Sequence, residues 1–190
     1  MDKETTNQFE FYDLERESMI LGNLQSRFDL SPRAQNDPKL QAILKEKCKR
    51  DPKFFFNSFL YTIKNTIFFS DAMPNNLPFV LFDYQEEMVD TIWYGITHKR
   101  NVFLEKSRQM SVTWVVLGLF LYGYLFHNHF YLITSRSEDE VDGKGATDSC
   151  FGRLRFMLNL LPQWMLPPDF DKRDGTEYNK TLLISRKDSI

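Results

Sequence analysis

The pattern of hydrophobic and polar positions divides the chain into a helical first part and a second part in which helices alternate with short apolar strands. Residues 1–36 are charged and lack a regular apolar period, which indicates an irregular N-terminal arm. Asp37 and Asp51 each precede a proline, and this pair of residues is typical of an N-cap followed by the first helical position. The turn-rich residues 70–78 then predict a boundary.

The second part begins with a helix for which Asp83 and Glu86 predict a capping box. An apolar strand over 102–104, a polar loop, and a strongly apolar helix from Thr113 follow, and 129–134 reads as a second strand. Helix, strand, loop, helix and strand in this order are typical of an α/β fold with a parallel sheet. The pattern further predicts a helix over 148–161 and a third strand over 181–185. With the irregular arm and the boundary at 70–78, the pattern divides the chain into units 1–36, 37–76 and 77–190.

Composition narrows the classes of protein that fit this pattern. A hydrophobic content of 42% supports a real core, and a net charge of −2 restricts any nucleic-acid contact to a local patch. Cys48 and Cys150 lie far apart, which argues against a disulfide framework or a zinc site and fits a reducing cytoplasm. The first residues lack the apolar core of a signal peptide. The apolar run 114–126 is shorter than the roughly 20 residues of a membrane span, so no membrane partner is expected.

The loop between the first predicted strand and the apolar helix nearly matches the phosphate-binding pattern G-x-x-x-x-G-K-[ST]. Aligned on Thr113, the chain has Val112 in place of the lysine, Ser111 in place of the second glycine and Lys106 in place of the first. The Thr113 hydroxyl suits Mg²⁺, and the backbone N–H groups of 109–113 suit a phosphate. The required cation is Lys106 or Arg108. The alternative is a polar loop that binds no ligand.

The segment Lys106-Ser-Arg-Gln-Met-Ser-Val-Thr-Trp114 resembles the deviant Walker A loop of the large subunit of tailed-bacteriophage terminases, in which the phosphate-binding lysine lies at the start of the loop. Residues 48–59 resemble the helical lead of that family. Residues 77–86 resemble its adenine-contacting segment, and 135–142 with 148–149 and 161–164 resemble the stretch after the second core strand. The likeness extends over roughly residues 40–170.

The resemblance implies a P-loop NTPase-like parallel sheet, here incomplete, behind an N-terminal helical lead, with 77–190 as a truncated ATPase domain. It implies an ATP-driven motor that packages viral double-stranded DNA, with ATP and Mg²⁺ as cofactors. The expected partners are the terminase small subunit, the portal protein of the procapsid and further copies in a homo-oligomeric ring, in the cytoplasm of a bacterial host. Thr113 would bind Mg²⁺, and the nucleotide-binding residues would be Lys106, Ser107, Arg108, Gln109, Met110, Ser111, Val112, Thr113, Tyr84 and Gln85.

Two departures from the family limit the expected activity. Ser111 replaces a glycine that the family uses for unusual backbone torsions. Hydrolysis also needs an apolar strand that ends in Asp-Glu, and neither 129–134 nor 181–185 ends that way, so no catalytic residue is identified. We therefore expect an N-terminal piece of the motor (a fragment, a split gene product or a degraded prophage copy) that binds ATP but hydrolyses little. The alternatives are a helicase-like ATPase fragment and a non-catalytic binding module.

Overall fold

The structure is a computed structural model, and it describes most of the chain. The described residues are 3–64, 69, 72–107, 110–143, 147–167, 170, 178–179 and 182–183, with the backbone alone described for 3–14, 178–179 and 182–183.

Helices dominate the described residues. The α-helices are α1 (Lys3–Gln35), α2 (Pro38–Arg50), α3 (Pro52–Phe59), α4 (Asp83–Thr97), α5 (Val112–His127), α6 (Glu138–Val141) and α7 (Cys150–Leu160), with a 3₁₀ turn at Gln163–Met165. The strands are β1 (Tyr61–Ile63), β2 (Asn76–Pro78), β3 (Tyr178–Asn179) and β4 (Leu182–Leu183).

The predicted parallel sheet of a P-loop fold is wrong for the part of the chain that the structure describes. β1 pairs antiparallel with β2, with Tyr61 opposite Pro78, and β3 pairs antiparallel with β4. Of the third predicted strand, only the backbone of β4 lies within the described residues, and it belongs to this short hairpin. The fold is therefore mostly helical, with two small antiparallel pairs.

The two predicted core strands form an irregular first segment (residues 101–107) and an irregular second segment (residues 129–134) instead. Burial in the second segment still alternates with the period of a strand, since Phe130 and Leu132 are exposed and Tyr131 is half-buried. The inward face packs on α5, where the Tyr131 ring stacks on Phe120 with centroids 4.2 Å apart. The sequence period is real, but a strand also needs a paired neighbour, and the described residues supply none here.

Helix α1 lies where the sequence indicates an irregular arm. It buries Ile20 and Ala34 and also docks through polar groups. The Arg27 guanidinium donates to the carbonyl oxygens of Leu60 (2.7 Å) and Asn57 (2.9 Å) at the end of α3. The Asn23 amide also donates to Asn57 O, at 2.9 Å. Burial lowers the pKa of Arg27 to about 10. Helix α1 therefore satisfies carbonyl groups that the end of α3 leaves open.

The predicted starts of α2 and α3 are confirmed. The Asp37 carboxylate accepts from the N–H groups of Lys39 (2.9 Å) and Leu40 (3.1 Å), and the Asp51 carboxylate accepts from Lys53 N at 2.9 Å. These bonds satisfy N–H groups that have no acceptor inside the helix, which is why Asp is favoured at this position.

Helix α5 forms the centre of the core because it is apolar on all sides. Gly118 lets Phe56 of α3 approach closely, since a Cβ on Gly118 would lie 2.4 Å from Phe56 Cζ. Gly123 does the same for Tyr131, whose hydroxyl would lie 1.9 Å from an added Cβ. Among the described helices, none is long and apolar enough to cross a membrane.

Candidate nucleotide site

The start of α4 supplies the first part of the site. The Gln85 side-chain oxygen accepts from Phe82 N at 3.1 Å, and Gln85 is only 2% exposed. This bond closes the first turn with Phe82 as the N-cap residue, one position before the predicted capping box of Asp83 and Glu86. The capping box lies one residue before its predicted position because the side-chain oxygen of Gln85, and not the carboxylate of Glu86, accepts from the backbone N–H of the N-cap residue.

An aromatic stack stands beside this turn. The rings of Phe82 and Tyr84 are 5.6 Å apart and nearly parallel, at 16°. The Arg16 guanidinium of α1 lies 3.7 Å from the Phe82 ring centroid and donates to the carbonyl oxygen of Val80. Arg16 thus holds Phe82 from one side through a cation–π contact, and Tyr84 continues the stack with 39% of its surface exposed.

A hydrogen bond connects the predicted phosphate loop to α4. The Gln85 side-chain nitrogen donates to Met110 O in a long hydrogen bond of 3.5 Å. Lys106 and Ser107 are exposed on the near limb of the loop. Arg108 and Gln109 lie outside the described residues. The structure therefore brings Gln85 and the end of the loop together.

Ser111 joins the loop to α5 in a left-handed backbone conformation, with φ 55° and ψ 21°. P-loops have a glycine at this position because the backbone there adopts unusual torsions. The structure shows such torsions at Ser111. The Ser111 side chain makes no capping hydrogen bond. The N–H groups at the start of the helix therefore have neither an intrahelical acceptor nor a capping oxygen from Ser111, and they form a potential anion site.

A polar cavity of about 390 Å³ opens beside the first turn of α5. The Thr113 side chain is exposed to it, whereas Lys106 and Ser107 are not among the lining residues. The cavity is lined by Thr113, Ser135, Asp139, Glu140, Asp148, Ser149, Cys150 and Arg153. Thr113 is thus the one predicted site residue that reaches this cavity among the residues described.

The part of the cavity wall that Ser135, Asp139 and Glu140 form is held by hydrogen bonds and an ion pair. The Ser135 hydroxyl and then the Arg136 guanidinium donate to Glu140, and both lower the pKa of that carboxyl. Behind this wall, Arg155 of α7 binds buried Asp142 through two parallel hydrogen bonds of 2.7 and 2.8 Å. These contacts hold residues 135–142 against α7.

The described residues contain no group of three or more His, Cys, Asp or Glu side chains placed to bind a metal ion. Magnesium is commonly held by only one or two protein groups together with phosphate oxygens and water. The Thr113 hydroxyl beside a cavity with acidic residues fits that mode of binding, in which the nucleotide brings most of the ligands.

Sequence reasoning missed two parts of this arrangement. Arg16 lies in the region that the sequence indicates to be irregular, so no signal pointed to it. Asp139 and Glu140 follow the second predicted strand, which does not end in Asp-Glu, so the sequence did not assign them to the site, but the structure brings both to the cavity beside Thr113. The resemblance over 148–149 does coincide with two residues of the cavity wall.

Comparison of the chain with known protein families, with curated proteins and with solved structures gave no match.

Proposed function

We propose that this chain corresponds to the N-terminal part of the ATPase domain of a bacteriophage terminase large subunit and that it binds ATP with Mg²⁺ at the start of α5. The left-handed backbone of Ser111 carries this proposal. A loop that turns through this conformation directly into an apolar helix presents free N–H groups to an anion. The proposal rests on this loop and helix, and it does not need the parallel sheet.

The residues of the site would have separate tasks. The exposed Lys106 ammonium would neutralise phosphate charge, as would Arg108 by resemblance. The Thr113 hydroxyl would bind the magnesium ion that screens the β- and γ-phosphates. Tyr84 would support the base. Magnesium also reduces the repulsion between the nucleotide and the carboxylates of the cavity.

The resemblance supports the wider setting of the proposal. By this resemblance, the motor would move viral double-stranded DNA. Its partners in a bacterial host would be the terminase small subunit, the portal protein and further copies of the large subunit.

Titration calorimetry of Mg·ATP into the whole chain tests the proposal. We expect binding by the wild type, and a loss of affinity of about tenfold or more for Lys106→Ala and for Thr113→Ala, which corresponds to about 1.4 kcal/mol. Lys39→Ala is the matched control, because Lys39 is an exposed lysine on α2. Its dissociation constant should equal that of the wild type.

Steady-state turnover by the same samples should be close to background, because neither apolar segment ends in the Asp-Glu pair that hydrolysis needs. Vigorous magnesium-dependent hydrolysis that disappears in Lys106→Ala would contradict this expectation while supporting nucleotide binding.

One observation favours a second candidate, a non-catalytic binding module. Three carboxylates, those of Asp139, Glu140 and Asp148, line the cavity, whereas Lys106 lies outside its wall. Carboxylates oppose an approaching triphosphate. The calorimetric experiment separates the two functions, since a chain that binds no Mg·ATP at millimolar concentration fits only the binding module.

A further inference from the structure

Arg153 is the one basic side chain among the described residues that line the polar cavity beside Thr113. We propose that Arg153 binds the phosphates of Mg·ATP in this cavity, so that the phosphates lie between the start of α5 and the start of α7. This inference rests on the proposed nucleotide binding. It adds a residue to which neither the loop motif nor the family resemblance assigns a role.

Three arginines lie on or behind the wall of the cavity, and Arg153 differs from the other two in its partners. Arg136 forms an ion pair of 2.6 Å with Glu140, and Arg155 binds Asp142 through two hydrogen bonds. Within the described part of the chain, the Arg153 guanidinium makes neither a hydrogen bond nor an ion pair, although three carboxylates line the same cavity. Its N–H donors therefore remain available to a ligand.

The structure holds Arg153 close to the first turn of α5. The guanidinium carbon lies over the Trp114 ring, 5.5 Å from its centroid, and Trp114 directly follows Thr113. This cation–π contact holds the charge without using an N–H donor. The backbone at the start of α7 is held by the Ser149 hydroxyl, which accepts from Gly152 N at 3.0 Å. The half-buried Arg153 is thus positioned before any ligand binds.

The charges of the cavity explain why a guanidinium is needed there. The carboxylates of Asp139, Glu140 and Asp148 give the cavity three negative charges, against the single positive charge of Arg153. A triphosphate without metal would be repelled by this balance, whereas a bound magnesium ion offsets part of its charge. A guanidinium also presents paired N–H donors that match two phosphate oxygens at once. Arg153 and magnesium together make the cavity suitable for phosphate.

Calorimetry of Mg·ATP with variants of the whole chain is the first test. We expect Arg153→Met to weaken binding by about tenfold and Arg153→Lys by about threefold, because lysine keeps the charge but not the paired donors. The melting temperature should change little, since no hydrogen bond or ion pair of the guanidinium with a described residue is lost. Arg50→Met is the matched control, because Arg50 is an exposed arginine on α2 that does not line the cavity.

The outcomes separate this inference from the proposed function. Equal dissociation constants for wild type and Arg153→Met would overturn the inference and leave the proposed nucleotide binding intact. A lower melting temperature with unchanged affinity of the folded protein would give Arg153 a structural role and would also overturn the inference. If the wild-type chain does not bind Mg·ATP, the proposed function fails, and the inference fails with it.

Magnesium tripolyphosphate separates a contact to the phosphates from a contact to the base or sugar, because it contains only the phosphates. Arg153→Met should weaken the binding of this probe and of Mg·ATP by the same factor, about tenfold. A loss that is restricted to Mg·ATP would mean that Arg153 binds the base or the sugar, and this result would overturn the inference.

Cys150 reports whether the ligand lies in the cavity, because it lines the cavity whereas Cys48 is completely buried. With Mg·ATP at about ten times its dissociation constant, alkylation of Cys150 by iodoacetamide should slow about tenfold in the wild type, as the unoccupied fraction falls. At the same concentration, it should slow only about twofold in Arg153→Met. Unchanged alkylation of a wild-type chain that binds Mg·ATP would place the phosphates elsewhere and overturn the inference.

Discussion

Phenylalanine has opposite environments in two regions of this molecule. In the helical body, which we define as α2 to α5 and α7, Phe55 and Phe56 are completely buried. In the two irregular segments that flank α5, Phe103 is 97% exposed and Phe130 is 80% exposed. Phe103 and Phe130 each stand next to further apolar residues in the sequence, so local hydrophobicity alone does not explain the difference.

Backbone hydrogen bonding explains it. A helix pairs its N–H and C=O groups internally, so Phe55 and Phe56 need only apolar neighbours to be buried. Residues 130–134 have no backbone hydrogen bond to another described residue. A strand needs a partner to supply both hydrogen bonds and apolar cover, and the residues that the structure describes supply no partner strand to either segment. The comparison predicts that similar substitutions have very different effects in the two regions.

The largest expected effect comes from truncation of a phenylalanine in each region. Phe56→Ala should lower the free energy of unfolding by about 3–5 kcal/mol, because the ring fills the space against Gly118 and packs on Phe79 at 5.2 Å. Phe103→Ala should change it by less than about 0.5 kcal/mol, because the ring is already in solvent. Urea unfolding followed by circular dichroism measures both. Similar losses for the two variants would mean that the first segment is covered in solution.

An intermediate effect is expected where the second segment is anchored to the helical body. Arg155→Met should cost about 3 kcal/mol, because it leaves the buried Asp142 carboxylate without its guanidinium. Arg136→Met removes an equally short ion pair to Glu140, but Arg136 is 88% exposed, so its loss should lower the free energy of unfolding far less than Arg155→Met does. The same urea experiment gives both values.

The double variant Asp142→Leu with Arg155→Met tests the reason for that difference. It should recover most of the loss, since the costly feature is a buried charge that lacks its partner. If the double variant is as unstable as Arg155→Met, the loss comes from packing and not from the charge.

The smallest expected effect concerns the junction between the loop and α5. Ser111→Gly should raise the free energy of unfolding by about 1 kcal/mol, because glycine adopts φ 55° without strain and Ser111 makes no cap bond that would be lost. Lys99→Gly is the control, since Lys99 has a similar φ of 53° at the end of α4. Both variants should be stabilised in thermal unfolding.

Only Ser111→Gly should also tighten Mg·ATP binding, because Lys99 lies outside the loop. An unchanged or weaker dissociation constant for Ser111→Gly would contradict the link between backbone strain and phosphate binding.

Sequence reasoning was most reliable where the determining interactions are local. Asp37 and Asp51 cap the helices that they were predicted to cap, because their hydrogen bonds reach only two or three residues along the chain. The torsion of Ser111 was also accessible, since the loop motif specifies it. The capping box of α4 was misplaced by one residue because Gln85 competed with Glu86 for the same role.

The amino-acid sequence by itself determined the helix starts, the apolar helix α5 at the centre of the core, and the unusual backbone before it, because all of these depend on neighbouring residues. The tertiary structure alone decided whether 102–104 and 129–134 form strands, since strand pairing depends on residues that are distant in sequence. It also decided that α1 docks through Arg16 and Arg27 beside the buried Ile20 and Ala34, because polar contacts leave no hydrophobic period. The tertiary structure also decided the contact between Gln85 and Met110, because these two residues lie 25 positions apart in the sequence.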